Sequence, residues 1–177
     1  MALKATIYKA TINIADMDRG YYDDLNLTIA QHPSETDRRM MVRIVAFILN
    51  AKEGLEFTKG LCAEDEPEIW QVSYSDEIEL WIDLGLPDEK RIKQACHKAK
   101  KVFLYTYGNN AKNMWWKAIK NKVERFDNLS ILHFPDEQVD NLEQMAARTM
   151  QLQATIQDGQ LWLNDGNQTI SIQLDQP

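Results

Sequence analysis

Carboxylates stand where an apolar alternation gives way to a lysine-rich stretch in residues 77–107, EIELWIDLGLPDEKRIKQACHKAKKVFLYTY. Ile78, Leu80, Ile82, Leu84 and Leu86 alternate with Glu77, Glu79, Trp81, Asp83 and Gly85. A strand over 77–86 would therefore bury an aliphatic face and turn two or three acids and a tryptophan to the other. Acids so placed are ligands for a hard cation such as Mg²⁺. Glu79 and Asp83 share a face but lie roughly 13 Å apart on a strand rising about 3.3 Å per residue, so a third carboxylate must arrive from elsewhere to complete a site. Asp83 is the better placed. It lies near the C-terminal end of a strand entering a helix, the edge where α/β sheets keep their sites, and the acids of EDEPE, residues 64–68, are within the same stretch of sequence. The plainer reading is a half-exposed strand with a wet polar face, against which the large ring of Trp81 counts.

The helix that follows is expected over 87–101. Pro87 suits its first turn, Asp88 and Glu89 its positive end, and Lys98, Lys100 and Lys101 its negative end. Ile92, Ala95, Cys96 and Ala99 form its buried stripe. Lys90, Lys93, His97 and Lys100 recur at spacings of three and four on another side. That basic stripe is either a solvated helix face, a surface for phosphates, or the source of a lysine that polarises a metal-bound water. No second His or Cys stands at ligand spacing from His97, and His32 and His133 are isolated in sequence. Trp115-Trp116 with Tyr105 and Tyr107 would suit base stacking, but Trp115 falls on an apolar stripe, leaving Trp116 to face a partner. Phosphate-cradling glycine loops, a GxSxG elbow and HExxH are all missing, which excludes P-loop hydrolases, serine hydrolases and zincins.

These residues need elements to position them. Residues 3–14 read as a strand whose apolar parity shifts, predicting a bulge near Tyr8 and Lys9. A second strand holds Leu25, Leu27 and Ile29; Ser34 caps a helix with Met40, Met41, Ile44, Val45, Phe47, Ile48 and Ala51 on its apolar face; and 55–61 is a third strand. AEDEPEIWQVSYSD reads as a loop with one helical turn at Asp65 and Pro67. Strand 77–86, helix 87–101, strand 102–107, helix 112–126 and strand 129–134 then make a β-α-β-α-β run, which demands parallel pairing. A helix over 136–148 leads to strands 150–157, 160–164 and 169–174, an antiparallel meander around Asp158-Gly159 and Asp165-Gly166. The fold class is mixed α+β, with a mixed sheet flanked by helices.

The 177 residues, 44% of them hydrophobic, suit one domain spanning 1–177. No apolar run reaches the roughly 18 residues of a membrane span, and the start of the chain lacks a signal-peptide pattern, so a cytoplasmic protein without a membrane partner is expected. Cys62 and Cys96 show no metal-site or disulfide spacing. The net charge of −7 argues against a polyanionic partner until its distribution is seen. Residues 64–89 hold ten acids and no Lys or Arg; residues 90–125 hold eleven bases and one acid. An acidic, metal-binding edge beside a cationic surface for phosphates is the functional reading of that polarity.

ATIYKA, HPSET, FTKGL, DEPEIW, LWIDLGLPDEKRIKQA, the YTY strand and MQLQATIQDG resemble the YaeQ family of small bacterial proteins, in order and from end to end. The resemblance implies a variant of the PD-(D/E)XK restriction-endonuclease-like fold. The family's biochemical activity is not established, and a regulatory link to transcription elongation has been suggested for it. A nuclease of this pattern sets an acid on one strand and an acid-x-lysine on the next, the acids holding Mg²⁺ and the lysine orienting water. Asp83 matches the second acid. Gly85 occupies the lysine position, which passes the water-activating role to Lys90 or Lys93 on the helix. For the other acid, Asp65 or Glu66 comes first, Glu35 is an accessory and Glu56 a third candidate. Two functions follow: a Mg²⁺-dependent phosphodiesterase with Asp83 and Asp65 as ligands, or a catalytically degenerate member binding nucleic acid or the transcription machinery through Lys90, Lys93 and Lys100.

Overall fold

A computed structural model describes residues 4–59 and 65–177. The first strand, β1 (Thr6–Asp16), pairs antiparallel with β2 (Tyr21–Gln31). The bulge expected near Tyr8 and Lys9 is not formed, because pairing runs without a slip from Thr6↔Gln31 to Asp16↔Tyr21. The change of parity has a simpler origin: Ile7 sits on the outer face, and the buried face begins with Ala10, Ile12 and Ile14. Helix α1 (Asp37–Leu49) is buried continuously from Met40 to Ile48, including Arg43. Its cap is Thr36, whose Oγ1 accepts the Arg39 N–H at 3.1 Å, whereas the expected cap, Ser34, is hydrogen-bonded to His32 Nδ1 at 2.6 Å.

The strand expected over 55–61 contracts to β3 (Leu55–Phe57), its last two residues, Gly60 and Leu61, lying outside the described residues. The loop expected over AEDEPEIWQVSYSD contains a strand, β4 (Ile69–Val72); Ala63 and Glu64 lie outside the described residues, and Asp65 and Glu66 form a turn and a bend before it. Four residues are too short for a period-two pattern to stand out, and the neighbouring acids disguised it. Strand β5 (Ile78–Leu84) pairs antiparallel with β4 and parallel with β6 (Ala99–Tyr107), which pairs parallel with β7 (Leu129–Phe134). The connections are α2 (Glu89–Lys98) and α3 (Asn109–Val123), so the β-α-β-α-β reading holds. Helix α4 (Asp136–Glu143) is shorter than expected; Met145 and Ala146 donate to carbonyls three residues back, the tight winding that ends a helix.

The meander is β8 (Thr149–Gln157), β9 (Gln160–Asn164) and β10 (Thr169–Ile172). Strand β8 also pairs parallel with β1. The N-terminal strands and the C-terminal meander therefore share a sheet of order β10-β9-β8-β1-β2, separate from the sheet of order β3-β4-β5-β6-β7. Two mixed five-stranded sheets flanked by helices replace the one that sequence suggested. The chain divides into two compact units: unit one holds Met1–Ile48 and Glu137–Leu174 with the first sheet, and unit two holds Leu49–Asp136 and Asp175–Pro177 with the second.

Candidate functional site

In unit two, parallel register places Trp81 beside Val102 and Leu129, and Asp83 beside Leu104 and Ile131, on one face of the sheet. Ile92, Ala95 and Cys96 of α2 and Ile119 and Val123 of α3 pack into the same apolar cluster as Trp81, Val102, Leu104 and Ile131. The face that bears Asp83 is thus covered by helices, and the half-exposed strand is overturned: Trp81 is 1% and Asp83 6% exposed. Burial of an anion demands a partner. Asp83 has one in Arg91, whose Nε and Nη2 donate to Oδ2 at 3.0 Å and Oδ1 at 3.1 Å.

Helix α2 positions that arginine. Asp88 Oδ1 accepts the Arg91 backbone N–H at 2.9 Å, capping the helix and setting Arg91 in its first turn. The guanidinium also donates to the carbonyl of Glu66 at 2.8 Å and lies 5.6 Å from the centre of the Trp81 ring. One planar cation therefore ties the strand end, the acidic segment and the helix start together. Arg91 is not among the residues that the sequence singles out. Its signal was its type: amid lysines, an arginine in the first turn after a strand acid offers the fork that matches a carboxylate.

The other expected acids are placed as follows. Asp65 is exposed and Glu66 half-buried. Glu56 Oε1 accepts the Trp70 indole N–H at 3.0 Å across β3 and β4. Glu35 belongs to unit one, where its buried carboxylate meets Arg43 Nη2 at 2.7 Å and Arg39 Nη1 at 2.7 Å. Among the described residues no three His, Cys, Asp or Glu side chains form a group that would hold a metal. With both Asp83 oxygens taken by Arg91, the residues present do not fit a Mg²⁺ site.

The lysines divide. Lys100 is not on α2: it stands in β6 and bonds Glu77 at 2.8 Å and Glu79 at 2.9 Å. Its pKa is raised, first by the hydrogen bond to Glu77 and then by that to Glu79, and the Glu77 carboxyl is lowered in return. Glu89 lies 3.4 Å from Arg125 and 4.0 Å from Lys122. The acidic and basic blocks thus stitch to each other within unit two. Lys90, Lys93, Lys98, Lys117 and Lys120 are left on α2 and α3, exposed and with no carboxylate in ion-pair reach among the described residues. His97 remains at the surface, edge-on to Phe126 at 6.4 Å. Trp115 donates to the carbonyl of Pro87 at 2.7 Å, a structural use, and Trp116 stays half-buried beside it.

A polar cluster that sequence reasoning missed lies at the C-terminal ends of β6 and β7. Thr106 pairs with His133 in register, and both are buried. Thr106 Oγ1 meets His133 Nδ1 at 2.8 Å, His133 Nε2 meets Asn109 Oδ1 at 2.7 Å, and Asp136 Oδ1 accepts the Asn109 backbone N–H at 3.0 Å. Because Asn109 Oδ1 only accepts, Nε2 carries the proton and Nδ1 receives the threonine hydroxyl. Burial depresses the imidazole pKa, with Lys112 adding to the effect and Asp136 and Asp175 opposing it. Nothing in the primary sequence links residues 106, 109 and 133. Only parallel register brings them together.

The two-sheet α+β fold has solved counterparts. The YaeQ protein model matches residues 1–174, so the chain belongs to the YaeQ family. It is 52% identical over 174 residues, 98% of this chain and 96% of the other, to the uncharacterised YaeQ protein of Escherichia coli K12. It is 53% identical to that of Salmonella typhi over the same shares. The crystal structure of YaeQ from Xanthomonas axonopodis pv. citri matches with a TM-score of 0.93 at 40% identity, covering 96% of each chain. That from Pseudomonas syringae matches with a TM-score of 0.93 at 31% identity, covering 97% of this chain and 95% of its own.

Proposed function

We propose that this protein is a non-catalytic nucleic-acid-binding module whose contact surface is the outer side of α2 and α3, on a scaffold of restriction-endonuclease-like ancestry. The observation that carries the reading is the division of charges. The acid in the position of a nuclease ligand is held by Arg91, while Lys90, Lys93, Lys98, Lys117 and Lys120 have no counter-charge in ion-pair reach among the described residues. Unpaired lysines on adjacent helices attract phosphates and release their counterions. Lys100, paired with Glu77 and Glu79, contributes little.

The test is fluorescence anisotropy with labelled single- and double-stranded DNA and RNA over a range of salt. Affinity is expected to fall steeply with salt, and each of Lys93→Ala and Lys117→Ala to reduce the log–log slope by about 1. Unchanged binding after charge reversal of Lys90, Lys93, Lys117 and Lys120 together sinks the surface. A parallel cleavage assay with Mg²⁺ or Mn²⁺ compares wild type with Asp83→Ala. Equal background is expected; cleavage abolished in the variant would instead restore the phosphodiesterase with Asp83, Asp65 and Lys90 or Lys93.

A further inference from the structure

The outward face of the sheet in unit one is polar but carries few charges. It is built from alternate residues of β1, β2, β8, β9 and β10, and register aligns them in rows across the strands. One row crosses all five strands as Asp24, Asn13, Gln153, Asn164 and Thr169. The next row is Tyr22, Ala15, Thr155, Trp162 and Ser171. In a chain with 27% charged residues, Lys9 and Asp24 are the charged side chains of this face. Amides and hydroxyls, not charges, dominate it.

Three features point to the same kind of ligand. Over the amide row lies a depression of about 420 Å³ lined by Asn13, Gln153, Asn164 and Asp165 among others. That is within the roughly 300–1,000 Å³ of small-molecule sites. The carboxamides of Gln151 and Gln153 have no hydrogen-bond partner among the described residues. Their neighbours are pre-set: Asn13 Nδ2 donates to Asp24 Oδ1 at 2.7 Å and Asn164 Nδ2 to Thr169 Oγ1 at 2.6 Å. A carboxamide donates and accepts at once, the match for a hydroxyl that does both. Beside this row, exposed Tyr22 (64%) and half-exposed Trp162 (36%) stand three strands apart with only Ala15 and Thr155 between them. At about 4.8 Å per strand, the rings bracket a trough roughly 14 Å wide, longer than one sugar ring. Aromatic faces receive the C–H face of a pyranose, and the near-absence of cations leaves phosphates and other anions without a partner.

We propose that this face of unit one binds a neutral oligosaccharide of linked hexoses. The sugar rings stack on Trp162 and Tyr22, and their hydroxyls bond Gln151, Gln153, Asn13 and Asp24. The site is independent of the cationic helices of unit two.

The test is isothermal titration calorimetry with maltohexaose and cellohexaose as probes, backed by two-dimensional amide NMR. Binding of at least one probe is expected, with shifts confined to β1, β2, β8 and β9 and an affinity that changes little with salt, as a contact with a neutral ligand requires. Trp162→Ala and Gln153→Ala should each weaken it by about tenfold or more, a loss of roughly 1.4 kcal/mol. Circular dichroism of both variants should match wild type, since the side chains point outward. No shift on this face with either probe, or equal binding by the variants, overturns the proposal. So does a concentration-dependent dimer in sedimentation that Trp162→Ala dissociates, since the face would then be an interface between copies.

Discussion

Asp83 carries the strongest test at the scale of single residues, because one carboxylate has two incompatible jobs open to it. As a metal ligand it would be dispensable for folding; as the buried partner of Arg91 it is not. Removing one member of a buried, bidentate pair leaves a charge without compensation and costs about 3–5 kcal/mol. Side-chain exposure is 27% for Arg91 and 9% for Asp83, so Arg91→Ala, which strands the buried carboxylate, should cost more than Asp83→Ala, which leaves a cation that water can reach and falls at the lower end. Urea denaturation of both single variants and the double variant should show non-additivity of about 1–3 kcal/mol; strictly additive losses would mean that the pair is not coupled. His133 supplies the second test. Its pKa is held below the ordinary value of 6.5 by burial, so the folded state binds the proton less well than the unfolded chain does. Its contribution is complete above pH 6.5, erodes as the pH falls below that and is gone below the folded pKa. Melting temperature between neutral and mildly acidic pH should fall more in wild type than in His133→Asn, which cannot take up a proton; parallel curves would refute the assignment. Cys96 is the quiet counterpart: desolvation pushes its thiol to about 11, so folded protein should resist alkylation there at neutral pH, as peptide mapping would reveal.

Elements were legible where a pattern was long enough and its neighbours were local. The β9 and β7 ranges followed from alternation and apolar content, and α1 from its unbroken apolar face. What failed was short or competitive. β4 has four residues, and Lys100 and Lys101 were assigned to a helix because they continue its basic spacing, although β6 begins at Ala99. There the apolar demand of Val102 and Leu104, both buried in the sheet, wins over helix continuation. Ser34 and Thr36 illustrate the same limit at a helix start, since both are good caps two residues apart and the sequence does not rank them. The observed bond from Arg39 N–H to Thr36 Oγ1 predicts that Thr36→Ala loses about 1 kcal/mol, whereas Ser34→Ala, which touches only His32, loses a fraction of that. Thermal melts of the two variants decide it; a larger loss for Ser34→Ala would show that the helix starts earlier than Asp37.

At the scale of the whole molecule, the long-range pairing of β1 with β8 is what the sequence could not display. Period and turn chemistry are local properties, but the parallel contact from Lys9↔Thr149 to Asp16↔Ile156 spans about 140 residues. The candidate site shares this dependence. Asp83 was legible from its own strand, while Thr106, Asn109 and His133 meet only because β6 and β7 pair in register. The same topology makes unit one a product of both chain ends, with the β-α-β-α-β run of unit two lying between them in sequence. A chain truncated before Thr149 would keep β1 and β2 but lose the strand that pairs with β1 on its other side, together with β9 and β10. An isolated two-stranded hairpin is marginal in water, and Ile12 and Ile14, buried in the intact chain, would lose much of their cover. Hydrogen exchange should therefore show β1 amides strongly protected in the full chain and close to unprotected after deletion of residues 149–177. Ladder pairing with β8, not local propensity, is the cause assigned to that protection. Retained protection of Ala10–Ala15 in the truncated chain would show instead that the hairpin and α1 suffice, and that unit one does not need its C-terminal strands to fold.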